Sequence, residues 1–266
     1  MNVDLSGKIA LVAGGSKGIG KSIATTLAAA GTNVAICARG PEDLAKTSQE
    51  LRSETRRECL TVQADLGTLD GCRTFVNRAA AHYGRADILV CCANVLSEKG
   101  GTFNTIADEE WVSHMNLKFF SAVRCAREAL PHMRKNKWGR IVIISGMATR
   151  LVRMRGMDNG PICGALANFG KQLAAQVVAD GIRVNTIHPD FTRTELLMSF
   201  LRREATARGV SLDVVAGEAS KKMPIGRLIE PQEIAYLAAF LCSDWADAIT
   251  GQSIAVDGGA AMSVHY

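Results

Sequence analysis

Short runs of Val, Ile, Leu and Ala alternate with amphipathic segments along nearly the whole chain. "KIALVAGG" (8–15) predicts a strand, and "GKSIATTLAAAG" (20–31) a helix ended by Gly31. "NVAICAR" (33–39) predicts a second strand, followed by a helix from about Pro41 to Glu54. "CLTVQADL" (59–66), "ADILVCCAN" (86–94), "GRIVIISG" (139–146) and "GIRVNTIHP" (181–189) repeat the pattern, each preceded or followed by a helix. Near-continuous apolar strands separated by helical patterns imply a parallel sheet covered on both faces. Right-handed crossovers then give an α/β, doubly wound sheet in a single domain over 1–266. Residues 191–225 are the one long segment between core elements. They are helix-rich and carry Arg202, Arg203, Arg208, Lys221 and Lys222, which suits a lid over the carboxyl ends of the strands.

Composition narrows the function classes. A length of 266 residues with 47% hydrophobic and 21% charged positions is that of an ordinary globular protein. The net charge of +5 is modest and no dense Lys/Arg block occurs, so nucleic-acid binding has no support. No apolar run reaches a membrane span and the first residues do not read as a signal peptide. The eight Cys lack CxxC spacing and fall mostly in predicted buried positions, as Cys37 and Cys242 do, which argues against a disulfide or zinc framework. The expectation is a cytoplasmic protein acting on a small molecule, with no metal, nucleic-acid or membrane partner.

"GGSKGIGKSIA" turns directly from a strand into a helix. Gly14, Gly18 and Gly20, with Ser16, Lys17 and Ile19 between them, suit close approach of a pyrophosphate to the helix N-terminus. Where a binder of the ribose 2′-hydroxyl would place an acid near Ala38, this chain has Ala38-Arg39, with Lys17 in the loop. Two cations suit a 2′-phosphate and favour NADP(H) over NAD(H), unless Arg39 is only a solvated surface charge. Asp65 and Leu66 follow the third strand, at the adenine edge.

Through these motifs the chain resembles the short-chain dehydrogenase/reductase family over essentially its whole length, from "DLSGKIALVAGGSKGIG" to "GRLIEPQEIAYLAAFLCSDWADAITGQSIAVDGG". "LVCCANV" (89–95) stands where the family has "LVNNAG", and "RVNTIHPDFTRTE" (183–195) resembles its "RVNxIxPGxxxTE" segment. The resemblance implies a Rossmann fold, a homodimer or homotetramer, and cofactor contacts at Ala93 and Thr194 besides those above. It also implies carbonyl reduction by a tyrosine acid–base, a lysine that favours phenolate, a carbonyl-orienting serine and an asparagine that keeps a water relay. Asn116 matches the asparagine. Anchored on "ALANFGKQLA", however, Asn159 aligns with the tyrosine, Cys163 with the lysine and Gly146 with the serine, Ser145 lying one residue early. No tyrosine-x-x-x-lysine pair exists in the sequence. Asn94 and Asp190 also replace family glycines, and Cys91 and Cys92 replace two asparagines, all on the nicotinamide side.

Ordinary Tyr/Lys ketone reduction is therefore not expected. Ser145, Asp158, Asn159, Cys163, His188 and Asp190 cluster by alignment around the altered site. Asp158 as general base, with Asn116 and Asn159 donating to an oxyanion, suits enolisation, carbon–carbon bond making or breaking, or hydration. In "MDNGP" Asp158 equally suits a turn, and Cys163 a small buried helix position rather than an acid–base or nucleophile. Arg150, Arg153 and Arg155 either hold a substrate anion or are surface charges. Three readings remain open: a non-redox enzyme with bound NADP(H), an NADP(H)-dependent oxidoreductase with repurposed residues, and a catalytically silent oligomer subunit or binding protein.

Overall fold

The computed structural model describes residues 3–95, 102–152 and 156–261. In chain order the elements are β1 (Ile9–Ala13), α1 (Gly18–Ala29), β2 (Asn33–Ala38), α2 (Pro41–Thr55), β3 (Cys59–Gln63), α3 (Leu69–Tyr83) and β4 (Ile88–Cys91). They continue with α4 (Asp108–His114), α5 (Ser121–Asn136), β5 (Gly139–Ile144), α6 (Asn159–Val177), β6 (Ile182–Pro189), α7 (Glu195–Arg208), α8 (Leu212–Lys221), α9 (Pro231–Cys242) and β7 (Ser253–Val256). A π-helical turn, Met115–Phe120, joins α4 to α5.

All seven strands pair in parallel in the order β3-β2-β1-β4-β5-β6-β7. The order reverses between β1 and β4, which opens a crevice at the carboxyl ends of the strands. The expected α/β doubly wound fold is the one observed. Continuous apolar strands are explained by their two buried faces. Leu11 and Ala13 of β1 join the core beneath α3, α5 and α6, whereas Ala10 and Val12 join the core beneath α1 and α9. Phe75 of α3 is fully buried in the first of these, and truncating such a ring typically costs about 3–5 kcal/mol.

Three differences from the expected elements have local causes. The fourth strand runs only Ile88–Cys91: Cys92 N still donates to Ala13 O of β1 at 2.9 Å, and beyond that bond the backbone of Cys92 and Ala93 packs against Gly14. The first strand stops at Ala13, where Gly14 takes φ +83° and starts the turn into α1. β7 has only four residues at the sheet edge, too short and too exposed to read as an apolar run.

Between β6 and α9 lie α7 and α8, each started by a hydroxyl cap: Thr194 accepts from Leu197 N at 3.2 Å and Ser211 from Val214 N at 3.4 Å. They share a small apolar core of Leu197, Leu201, Val215, Ala219 and Leu228. This is the segment expected to be helical at 191–225. Seven of the eight cysteines are buried, Cys92 is half-buried, and all eight are free thiols.

Candidate active site

At the amino end of α1 two glycines shape a cradle. A Cβ on Gly14 would lie 2.9 Å from both Ala93 N and Cys92 O, and one on Gly20 would lie 2.1 Å from Gly14 O. Side chains at these positions would collide with backbone, so the loop closes tightly and leaves its outer face to a ligand. Beside it a cavity of about 200 Å³ is lined by Ser16, Lys17, Gly18, Lys21, Asp43, Lys46, Thr47 and Glu195. Lys17 is exposed and pairs with Asp43 at 2.8 Å, while Arg39 is exposed at the end of β2. The Thr194 methyl would sit 3.1 Å from a Cβ on Gly18, so the start of α7 abuts the glycine loop. Ile19 is half-buried behind that loop. Asp65 folds into a turn, accepting from Gly67 N at 2.9 Å; Leu66 is buried below it, and Ala93 is buried at the end of β4. The surface fits a dinucleotide: backbone N–H groups for a pyrophosphate and cations for a further phosphate.

The carboxyl end of β5 is built differently. Ser145 donates its hydroxyl to Cys163 O at 3.1 Å and is thereby pinned to α6. At Gly146 a Cβ would lie 3.3 Å from Cys163 Sγ and 4.0 Å from Lys118 Nζ. Lys118, in the π turn, is only 4% exposed. Its ammonium donates to Asn159 Oδ1 at 2.8 Å, and Cys163 Sγ donates to the same oxygen at 3.3 Å. Asn159 and Cys163, one helical turn apart on α6, thus face a cation from another part of the chain. The half-buried Cys92 thiol is pushed up to about 12 by desolvation, against the pull of the Lys118 charge, so it stays protonated at neutral pH.

The turn that carries Lys118 is held at both ends. Asn116 Nδ2 donates to Val112 O at 3.0 Å and Asn116 Oδ1 accepts from Arg124 Nη2 at 3.0 Å. Both ends of its amide are so engaged, and Asn116 braces the turn while one Nδ2 hydrogen is left by these two bonds. Two residues earlier, His114 Nδ1 hydrogen-bonds Asp158 Oδ2, joining the end of α4 to the start of α6. Asp158 is 3% exposed, and its Oδ1 has no hydrogen-bond partner among the described residues.

His188 ends near the same place. Its Nδ1 faces Gly146 O at 3.2 Å and Thr149 Oγ1 at 3.4 Å. A carbonyl only accepts, so Nδ1 carries the proton. Burial pushes this imidazole down to about 4, hence it is neutral near pH 7. Asp190 N donates to Val256 O at 3.2 Å, which anchors the residue beside β7. Arg150 Nη2 donates to Ser253 O at 2.8 Å and so points to β7. Arg153 and Arg155 lie outside the described residues. Among the described residues no cluster of His, Cys, Asp and Glu is arranged to hold a metal, and no helix is long and apolar enough to cross a membrane.

Lys118 and His114 were absent from the sequence-based candidates. Their one local signal is a charged or polar side chain inside the otherwise apolar "HMNLKFF", and their partners Asn159 and Asp158 lie about forty positions away.

A family model described as enoyl-(acyl carrier protein) reductase matches residues 13–261. The chain belongs to the short-chain dehydrogenase/reductase family. Oxidoreductase UcpA of Salmonella typhimurium is 34% identical over 259 residues, covering 97% of this chain and 96% of that protein. The 3-oxoacyl-[acyl-carrier-protein] reductase FabG of Escherichia coli is 32% identical over 260 residues, covering 98% of this chain and all (100%) of that protein. The crystal structure of L-sorbose reductase from Gluconobacter frateurii, complexed with NADPH and L-sorbose, superposes with a TM-score of 0.95 at 30% identity, covering 99% of this chain and 100% of that one. These short-chain dehydrogenase/reductase relatives are oxidoreductases and reductases, and the chain is an enzyme of that family.

Proposed function

We propose that the protein is an NADP(H)-dependent oxidoreductase that interconverts a carbonyl and a hydroxyl on a small substrate, with repurposed groups at the nicotinamide end. The observation that carries this reading is the glycine cradle at Gly14 and Gly20, with its cation-lined cavity, in a chain whose relatives are reductases. The NADPH in the L-sorbose reductase structure, a neighbour across the whole chain, supports the choice of cofactor.

Bound NADPH would supply a hydride to a carbonyl carbon. The residues of this chain do the rest. Backbone N–H groups from Ser16 to Gly20 take the pyrophosphate at the positive end of α1. Lys17 and Arg39 take the 2′-phosphate, with Lys46 across the same cavity. Asp65 and Leu66 border the adenine, and Ala93 and Thr194 close the nicotinamide side. Asn159 and Cys163 stand at the family's tyrosine and lysine positions, so the usual phenol is absent and another group must protonate the product oxygen. The segment carrying α7 and α8 is a lid, and we extend to this chain the dimer or tetramer common in the family.

This reading displaces the non-redox one favoured by the sequence, which relied on Asp158 as a base and on Asn116 as an oxyanion donor. Asp158 is engaged by His114 and Asn116 by Val112 and Arg124, which suits bracing better than catalysis. Fluorescence titration with NADPH, followed by a panel of ketones, ketoses, α-diketones and β-keto esters monitored at the nicotinamide absorbance, tests the proposal. Saturable binding with NADPH oxidation on some members is expected; no binding at millimolar NADPH would remove the reading.

A further inference from the structure

The feature least like an ordinary core is Lys118. An ammonium taken out of water costs several kcal/mol unless an opposite charge or full hydrogen bonding compensates it. Lys118 is 4% exposed, and among the described residues it makes no ion pair. Among the described residues its one hydrogen-bond acceptor is the neutral Asn159 Oδ1 at 2.8 Å. An ammonium has three N–H donors, so two are left to something else. Near Nζ lie the Asn159 amide, the Gly146 backbone with Cys163 Sγ beside it, and the Cys92 thiol, which burial keeps protonated; the His188 imidazole, neutral near pH 7, also feels this charge. A site of this kind is completed by an oxygen that carries or acquires negative charge.

Its place in the fold gives that oxygen an identity. The ammonium lies where β5 meets α6, at the crevice end of the sheet, beside the side chain that fills the family's tyrosine position. Two substitutions make room for it. Gly146 presents no side chain toward Nζ, and Cys163 is short and shares Asn159 Oδ1 as acceptor rather than bringing a second cation. The π turn supplies the direction. Asn116 is locked by Val112 O and Arg124 two residues before Lys118, and such turns re-aim a side chain that an uninterrupted α-helix would hold elsewhere.

We propose that Lys118 is the proton donor of the reduction, its ammonium reaching from the π turn into the space that Gly146, Asn159 and Cys163 leave at the family's acid–base position. This rests on the oxidoreductase reading above. As the carbonyl carbon accepts hydride, its oxygen takes the π electron pair and one N–H proton from Lys118. A C–H and an O–H bond form; the C=O π bond, the dihydronicotinamide C–H bond and one N–H bond break; NADPH is oxidised to NADP⁺, and a proton taken up from solvent restores the Lys118 ammonium. Asn159 is then a positioning residue: its Oδ1 fixes the ammonium and is released from no proton itself.

The test compares wild type, Lys118→Met and Lys118→Ala for NADPH affinity by fluorescence, for thermal unfolding, and for kcat on the carbonyl panel. NADPH affinity within about twofold of wild type and a kcat loss of about 10² to 10⁴ are expected for both variants, the size typical of a lost general acid. Rescue separates proton donation from packing. Ammonium, methylammonium and 2-fluoroethylammonium added to Lys118→Ala restore turnover, with rates that follow the acidity of the added ion after correction for its size. Rescue that follows size alone, or kcat within fivefold of wild type in Lys118→Met, overturns the assignment and leaves the oxidoreductase reading standing. Loss of NADPH affinity in the variants overturns it too, because Lys118 would then hold cofactor. A wild type that binds no NADPH, or binds it and reduces no member of the panel, instead removes the oxidoreductase reading itself. If both variants unfold, Lys118→Arg takes their place: a folded arginine variant with kcat down at least tenfold supports proton donation, and one at the wild-type rate contradicts it.

Discussion

Two ends of one crevice have been held to different constraints. At the β1–α1 loop the backbone itself forms the surface, and Gly14 and Gly20 have no room for even a Cβ. Any change there shifts main chain, so the loop keeps the pattern that lets phosphate approach. At the β5–α6 end the surface is made largely of side chains: Asn159 and Cys163, with Gly146 beside them, meet an ammonium that comes from the π turn. A site made of backbone resists substitution, whereas one made of side chains can change its chemistry while the fold stays the same.

Substitution at Gly20 should do the most damage to cofactor binding. Gly20→Val places a side chain 2.1 Å from Gly14 O at its first atom and should abolish NADPH binding, with more than about a 100-fold loss in fluorescence titration, about 2.8 kcal/mol. Binding within threefold of wild type would show that the loop is not the cofactor cradle.

The altered end should also be the pH-sensitive one. His188 is held neutral down to about 4, against an ordinary value of 6.5. Between those values the unfolded chain binds a proton that the native state does not, so stability falls as pH is lowered from 6.5 toward 4, by up to about 3 kcal/mol. Urea unfolding at stepped pH measures this slope. His188→Gln should flatten it; an unchanged slope would place its origin elsewhere.

A smaller effect sharpens the cofactor end. Lys17 and Arg39 are exposed, so each contributes modestly and is screened by salt. Arg39→Ala should weaken NADPH by about tenfold, roughly 1.4 kcal/mol, and NADH by less than twofold. Equal losses for both cofactors would remove Arg39 from 2′-phosphate recognition. The smallest change expected is Thr194→Ala. It removes the cap of α7 and should lower stability by about 1 kcal/mol in urea unfolding; an unchanged midpoint would show that the Thr194 hydroxyl does not hold the helix start.

The fold was legible because the central strands β1, β2, β4 and β5 are buried on both faces and crossover helices carry their own punctuation. Gly31 after α1 and Pro41 at the start of α2 are examples, and both stand where the structure ends or begins a helix. Boundaries were less legible where tertiary contact decides them, as at Cys92 and Ala93, whose backbone packs against Gly14. In the site, alignment located Gly146, Asn159 and Cys163 but not what faces them. Lys118 and Asn159 are 41 residues apart, and nothing local in "NLKFF" reports that a π turn aims the lysine inward. Asp158 was legible as a polar residue near the site, yet only the structure supplies the buried His114 beside it. A sequence pattern reports which residues stand at a site more readily than which distant residues fold against them.

On the proposed reading, cofactor binding and the acid function sit on separable parts of the crevice. NADPH titration followed by fluorescence, run in parallel on wild type, Gly20→Val and Lys118→Met, tests it most directly. Wild type and Lys118→Met are predicted to bind with the same affinity within about twofold, and Gly20→Val not to bind. Loss of binding in Lys118→Met with binding retained in Gly20→Val would contradict it.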